Sequence, residues 1–220
     1  MRADVKIHRG LTTERVVDAA LRLADEEGLE RLSLRRLAAA LDVTPMSIYR
    51  HVRDKDDLLD LMVDRLLEQL DLAASGSQTW QEALRRLAAG LLAMLEAHPA
   101  APLLLSRPFN SQSALRISET MLAILDRAGF SPDQSVRLLQ VMTGMVLGPA
   151  IHRATYAAAW REPPEAAGGE ASSAGLSPDQ FPYVARLADQ LAAWSSGPEA
   201  DRLAVELLVA GLAALAAQNA

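Results

Sequence analysis

Three hydroxyl side chains near the start of the chain, Thr12, Ser33 and Thr44, each stand in front of a helix-forming run. Each can act as an N-cap, its oxygen accepting a hydrogen bond from a free N–H of the first helical turn. Each is preceded by an apolar residue and followed by another at the fourth helical position: Leu11 with Val16, Leu32 with Leu37, Val43 with Ile48. This spacing is a hydrophobic staple, which fixes the angle at which the chain enters the helix. Three helices with fixed entry angles, the last two joined only through Asp42 and Val43, leave few ways to pack.

The pattern predicts a first helix over 13–27, with Val17, Ala20, Leu21 and Ala24 forming one buried stripe. Gly28 can adopt the left-handed conformation that ends it. A second helix is expected over 34–41, burying Leu34, Leu37, Ala38 and Leu41. The third covers 45–51 and begins with Pro45, at the position where the missing N–H costs nothing. A fourth starts at Asp54 and runs to about 71, with Leu58, Leu59, Met62, Leu66 and Leu70 on one broad face. Asp54, Asp56 and Asp57 complement its positive N-terminal end.

After a loop over 73–78, further helices are expected at about 79–97, 100–107, 111–128, 132–160, 178–195 and 199–217. Ser131-Pro132 and Ser177-Pro178 read as helix starts, Ser177 with Gln180 as a capping box, and Gly129 and Gly197 as stops. The Pro-, Gly-, Ala- and Ser-rich stretch 161–176 reads as a mobile surface loop. Only 4% of residues are aromatic, and alternating strand patterns are missing. The expected fold is all-α: a three-helix helix-turn-helix domain over 1–53, then a larger helical domain over 54–220 whose first helix connects the two.

With no cysteine, disulfides and thiolate zinc sites are excluded. The first ten residues lack the apolar stretch of a signal peptide. The longest apolar run, Leu207 to Ala217, has 11 uncharged residues, whereas a membrane span needs about 20. A cytoplasmic protein without membrane contact is expected. The net charge of −6 is unevenly divided: residues 1–53 hold ten basic and eight acidic side chains, residues 54–220 twelve and twenty. Phosphate contacts depend on local charge, because salt screens beyond about 8–10 Å. The basic end is compatible with DNA.

Two short helices joined by a tight turn and braced by a longer one form a helix-turn-helix, whose second helix enters the major groove. That helix reads Pro45-Met46-Ser47-Ile48-Tyr49-Arg50-His51. Ile48 turns inward through its staple, which leaves Met46, Ser47, Tyr49, Arg50 and His51 facing out. Hydroxyl, phenol, guanidinium and imidazole groups can all donate to phosphates or bases. The stretch from Leu11 to Leu66, above all GLERLSLRRLAAALDVTPMSIYRHVRDKDDLL, resembles the TetR family of regulators. The resemblance implies that Arg35 meets a base edge, that Pro45, Met46 and Ser47 lie where bases are read, and that Thr44, Tyr49, Arg50, His51 and Lys55 serve the DNA surface, Tyr49, His51 and Lys55 through phosphates. The family often has Gly in the turn where this chain has Asp42; Asp tolerates the left-handed conformation.

Beyond residue 66, Trp80-Gln81-Glu82, His98, Arg107-Pro108 and the run Ala128-Gly129-Phe130-Ser131 are similar to the C-terminal domain of the tetracycline-repressor branch. That branch dimerises through two long helices per subunit, equivalent here to about 132–160 and 199–217. Gly144, Gly148, Leu207, Leu208, Gly211, Leu212 and Leu215 are the expected interface of a homodimer, since two half-sites require two-fold symmetry. The expected pocket for a small-molecule effector takes Met62, Met94, Met121, Met142 and Met145, with Trp80, Leu87, Leu91, Phe109, Leu125 and His152. Met lines adaptable sites, although it more often fills cores. The tetracycline branch holds a magnesium–drug chelate with polar side chains; the matching stretches here, around Leu87, Leu91 and Leu103 to Leu105, are apolar, so a less polar effector is expected.

No phosphate loop, nucleophile motif or metal-spaced pair of His or carboxylates is present, and isolated His98 and His152 read as satisfied polar residues. The expectation is a transcriptional regulator and not an enzyme, without cofactor or metal, that releases a palindromic double-stranded operator when an effector binds. The alternatives are a ligand-independent architectural DNA binder and a helical enzyme that binds a small molecule.

Overall fold

The computed structural model describes residues 10–72, 78–109, 111–161, 179–187 and 199–219, with side chains of the long eighth helix described to residue 155. Among these residues there are ten α-helices, one short 3-10 turn and no strand. We number them α1 (Thr13–Glu27), α2 (Leu34–Ala40), α3 (Pro45–Ile48), α4 (Lys55–Leu67), α5 (Trp80–Ala97), α6 (Ala101–Ser106), α7 (Gln112–Arg127), α8 (Pro132–Arg161), α9 (Pro182–Arg186) and α10 (Glu199–Asn219). The loop expected over 161–176 lies outside the described residues apart from Arg161, as does most of the helix expected over 178–195. No described helix is long and apolar enough to cross a membrane.

The described residues fall into two compact units, one drawn from 1–73 and 93–120, the other from 74–92 and 121–220. This division differs from the boundary expected after residue 53. In the first unit α1 packs on α2 and α4, α2 on α3, and α4 on α6. The stripe Val17, Ala20, Leu21 and Ala24 is buried, as are Leu37, Ile48, Leu58, Leu59, Met62, Leu66 and Leu70. Removing the six buried side chains of α4 (Leu58, Leu59, Met62, Val63, Leu66 and Leu67) from water supplies about 1.5–3 kcal/mol each as an upper bound.

Two of the three expected caps form: Thr12 Oγ1 accepts from Arg15 N–H at 3.3 Å and Ser33 Oγ from Arg36 N–H at 3.2 Å. Thr44 does not cap through its side chain. Its Oγ1 pairs instead with Ser47 Oγ at 3.0 Å, while Ser47 N–H bonds the Thr44 carbonyl. The third helix is also shorter than expected, closing after Ile48 into a turn that runs through His51. Gly28 has φ +93° and ψ 150°, a region that is essentially glycine-only, and it leads into an unforeseen 3-10 turn, Leu29–Arg31. Asp42 holds the left-handed φ of +54° that the tight turn requires.

Four long-range polar ties reinforce this unit. Arg65 donates to Asp18 at 3.0 Å, joining α4 to α1. Asp25 of α1 bonds His98 Nδ1 at 2.8 Å and the Ala100 N–H at 3.0 Å. Arg107 donates to Asp60 at 2.7 Å. Asp64 accepts from the Ser111 hydroxyl at 2.6 Å and the Ser113 N–H at 2.9 Å.

In the second unit α8 packs along α10. Arg153 grips both oxygens of Asp201 at 2.7 and 2.6 Å, and Asp201 is only 1% exposed. Met142, Val146 and Ala150 of α8, with Val205, Leu208, Val209 and Leu212 of α10, are buried. Capping boxes open two helices: Thr79 with Glu82 before α5, and Ser131 with Gln134 before α8. Gly129, at φ +86°, ends α7 as its sequence position suggests.

Candidate nucleic-acid interface

The expected reading surface is built outward from Ile48. That side chain is fully buried, and it anchors a four-residue helix whose other positions turn to solvent. Met46 is 69% exposed and Tyr49 is 52% exposed, two costly placements for apolar surface. Arg35 on the first turn of α2, Thr44, Pro45 and Arg50 are exposed as well, and Ser47 and His51 are half-buried. Lys55, the first residue of α4, is exposed. The structure therefore places all nine residues of the expected DNA-facing set on the first unit, none of them in its core.

Ion pairing divides the cations near this surface. Arg36 pairs with Glu27, Arg53 with Asp57, Arg65 with Asp18, and Arg107 with Asp60. Arg35, Arg50 and Lys55 have no hydrogen-bond or ion-pair partner among the described residues. The Asp54–Asp60 cluster is occupied internally. Asp54 caps α4 by accepting from the Asp57 N–H at 2.8 Å, and Asp57 takes three hydrogen bonds from Arg53. Those bonds, side chain first and then backbone, hold the Asp57 carboxyl below its ordinary range. Three unneutralised cations beside donors of fixed geometry can bind phosphate, and an Arg can bond a guanine edge bidentately.

His51 is oriented by a residue the sequence reading left as ordinary helix. Its Nδ1 lies 3.3 Å from Thr13 Oγ1, on the first residue of α1. A hydroxyl at a helix start, 38 positions from its partner, carries no local pattern that would have revealed the contact. The same is true of Asp60 with Arg107 and Asp64 with Ser111. Burial raises the Asp64 carboxyl, but the bonds from Ser111 and Ser113 outweigh it and leave the group below its ordinary range.

The expected effector-binding residues divide between the units. Met62 and Met94 are buried in the first and Phe109 is half-buried there. In the second, Leu87, Leu125 and Met142 are buried, while Trp80, Leu91, Met121, Met145 and His152 are half-buried. A surface hollow of about 250 Å³ in the second unit is lined by Phe130, Gln134, Arg137, Leu138, Leu215 and Gln218, none of them from this set. Among the described residues no group of His, Asp or Glu is arranged to hold a metal ion.

The expected dimer surface needs a correction. Leu208 and Leu212 are buried against their own subunit and cannot lie on a seam with a second copy. Adjacent helical residues point about 100° apart, so Leu207 faces solvent where Leu208 faces α8. Leu207, Leu215 and also Leu203 are exposed, as are Val136 and Val141 of α8. Gly144, Gly148 and Gly211 are exposed, and a Cβ at any of them would meet nothing within 4 Å.

Two family models match the chain. That of bacterial regulatory proteins of the tetR family covers residues 16–62, and that of the tetracyclin repressor-like C-terminal domain covers 72–216. An HTH-type transcriptional regulator of Saccharopolyspora erythraea is 34% identical over 209 residues, 94% of this chain and 86% of that protein. The HTH-type transcriptional repressor DrrR1 of Streptomyces coeruleorubidus is 39% identical over 142 residues, 64% of this chain, and the match spans about half (53%) of that repressor. Among solved structures, the TetR family protein ActR of Streptomyces coelicolor in complex with actinorhodin superposes with a TM-score of 0.74 at 25% identity, over 96% of this chain and 100% of ActR.

Proposed function

The chain belongs to the TetR family of bacterial regulatory proteins, and from this premise we propose that it is a homodimeric repressor that lets go of a palindromic operator when a small, largely apolar effector binds. It is a DNA-binding transcriptional regulator by family. The observation that carries the finer reading is the contrast in charge around α3. Arg36, Arg53 and Arg65 are paired, while Arg35, Arg50 and Lys55 stand free beside exposed Met46 and Tyr49. In this reading Arg35 and the first turn of α3 (Thr44, Pro45, Met46, Ser47) address bases. Tyr49, Arg50, His51 and Lys55 address phosphates. A second copy docks through the outward residues Gly144, Gly148, Leu207, Gly211 and Leu215, together with exposed Leu203. The chain acts by binding, without turnover of the effector.

Response to the effector requires a route from the C-terminal half to the reader. The complex of ActR with actinorhodin supports an effector site in this fold. The ties of Asp60 to Arg107 and of Asp64 to Ser111 and Ser113 couple α4, which carries Lys55, to the segment that links α6 and α7. Displacing that segment moves α4 and, through the Asp18–Arg65 bond, α1. The effector drives this only to the extent that it binds the released state more tightly. Leu87, Leu91 and Leu103 to Leu105 favour an apolar effector over a magnesium–tetracycline chelate.

The test is selection from a library of duplex fragments, followed by fluorescence anisotropy on the enriched sequence with wild type, Arg35→Ala and Tyr49→Ala. A palindromic winner, salt-dependent affinity and weakened binding by both variants are expected. An enriched duplex that both variants bind as well as wild type would place the interface elsewhere. Release by tetracycline with magnesium at micromolar concentration would overturn the apolar effector.

A further inference from the structure

Thr13 and His51 meet across the first unit, with Thr13 Oγ1 and His51 Nδ1 3.3 Å apart. Both are half-buried. The backbone fixes each of them: Thr13 opens α1, and the His51 N–H bonds the Ile48 carbonyl at 2.9 Å. A neutral imidazole carries one proton, so one ring nitrogen donates and the other accepts. Which is which is set by the hydrogen bond made at the other nitrogen. If Nδ1 accepts, the proton resides on Nε2, and neutral His51 can donate to a phosphate. If Nδ1 donates, Nε2 is a bare lone pair, and the ring can hold a phosphate only after taking up a second proton.

We propose that Thr13 is a positioning residue for operator binding: its hydroxyl donates to His51 Nδ1, which keeps the ring proton on Nε2 and turned to the DNA backbone. Two observations support this direction. The Thr13 hydroxyl has no other hydrogen-bond partner among the described residues, so its proton is available to the ring. The ring nitrogen also faces the N-terminal end of a 15-residue helix, whose positive dipole end favours a lone pair over an N–H at that nitrogen of the neutral ring. Among charged groups, Glu14 of α1 interacts with the ring and Arg65 of α4 acts on Glu14, while Arg50 and Arg53 flank His51 in sequence. Arg53 is bound to Asp57 and Arg65 to Asp18. Glu14 is held low by its own backbone N–H and then by Thr12.

The proposal rests on the reading of His51 as a phosphate contact, and the experiment separates the two. Operator affinity is measured at pH 5.5 and pH 8 for wild type, Thr13→Val, Thr13→Ser and His51→Ala, each checked by thermal unfolding. At pH 5.5 an imidazole takes its second proton, and both nitrogens donate whatever Thr13 does. Thr13→Val is expected to bind like wild type there and to lose about tenfold at pH 8, where both half-sites forfeit a hydrogen bond. Thr13→Ser is expected to follow wild type at both. Nitrogen-15 NMR of histidine-labelled free protein is expected to show the Nε2–H tautomer at His51 in wild type and its loss in Thr13→Val. Equal weakening of Thr13→Val at both pH values would make Thr13 a structural residue and overturn the proposal, as would an Nδ1–H tautomer in wild type. His51→Ala with undiminished affinity at both pH values would refute the phosphate reading and the proposal with it. His51→Ala weakened while Thr13→Val keeps the wild-type pH profile would refute the role of Thr13 alone.

Discussion

Lys55 offers the sharpest quantitative test of the interface. It opens α4, is exposed, and has no partner among the described residues, although three aspartates surround it in sequence. All three are engaged: Asp54 holds the Asp57 N–H, Asp57 holds Arg53, and Asp56 pairs with Arg107 at 3.8 Å. Each phosphate neutralised on B-DNA contributes about −0.9 to the slope of log K against log salt. A dimer carries two copies of Lys55, so Lys55→Ala is expected to flatten that slope by about 1.8. At 0.1 M salt the lost counterion release corresponds to a roughly sixty-fold weaker complex. Anisotropy titrations on the selected operator between about 50 and 200 mM salt read both quantities. Arg53→Ala is the control. The Arg53 side chain is 84% exposed, but its charge is given to Asp57, so its removal should change the slope by less than half as much. A slope for Lys55→Ala that matches wild type, or a flattening as large in Arg53→Ala, would refute the assignment of phosphate binding from unpaired charge.

Asp201→Ala leaves the half-buried Arg153 without its buried partner and should cost about 3–5 kcal/mol. At about 2–4 °C per kcal/mol for a chain of this size, that is a fall in Tm of roughly 6–20 °C, and an apolar replacement of both partners should cost less. Leu207→Glu places a charge on the exposed face of α10 and should convert dimer to monomer in sedimentation, with operator binding lost; a stable dimer would exclude that face from the seam. Arg107→Gln should keep operator affinity within about threefold yet raise the effector concentration needed for release about tenfold, within the usual 1–3 kcal/mol of coupling. Asp57 and Asp64 have carboxyls below their ordinary range, so their contribution to stability is complete above about pH 3.9 and disappears as pH falls through the lowered values. The stability margin of wild type over Asp64→Asn should therefore shrink in acid and stay flat from pH 5 to 8.

The helices were legible because their signals are local. The caps at Thr12 and Ser33, the stop at Gly28 and the proline at the start of α3 act within a turn or two, and α1 forms over the span they mark. Thr44 shows where local reading fails. Its hydroxyl had a choice between a backbone N–H and a neighbouring hydroxyl, and Ser47 took it. Leu208 and Leu212 are hard to place for a related reason: from Leu207 to Ala217 the helix carries no polar side chain, so no period says which leucines face their own subunit. The ion pairs Asp60–Arg107 and Arg153–Asp201 join residues 47 and 48 positions apart, so only the packing of α4, α6, α8 and α10 creates them. On the reading surface the residue types were visible in advance. Which cations were free was not, because that depends on where each carboxylate finds a partner.

The sparseness of that free charge bears on how such a protein finds its site. On the proposed interface each subunit sets only Arg50 and Lys55 against the backbone as permanent cations, with Arg35 turned to a base. Four charges per dimer is few beside the six to ten contacts, roughly, that make a protein cling to any duplex. Random genomic DNA is then a poor trap. The dimer spends its time in solution, samples many sites by brief collisions instead of long slides, and stays only where Arg35 and the first turn of α3 find their bases on both halves at once.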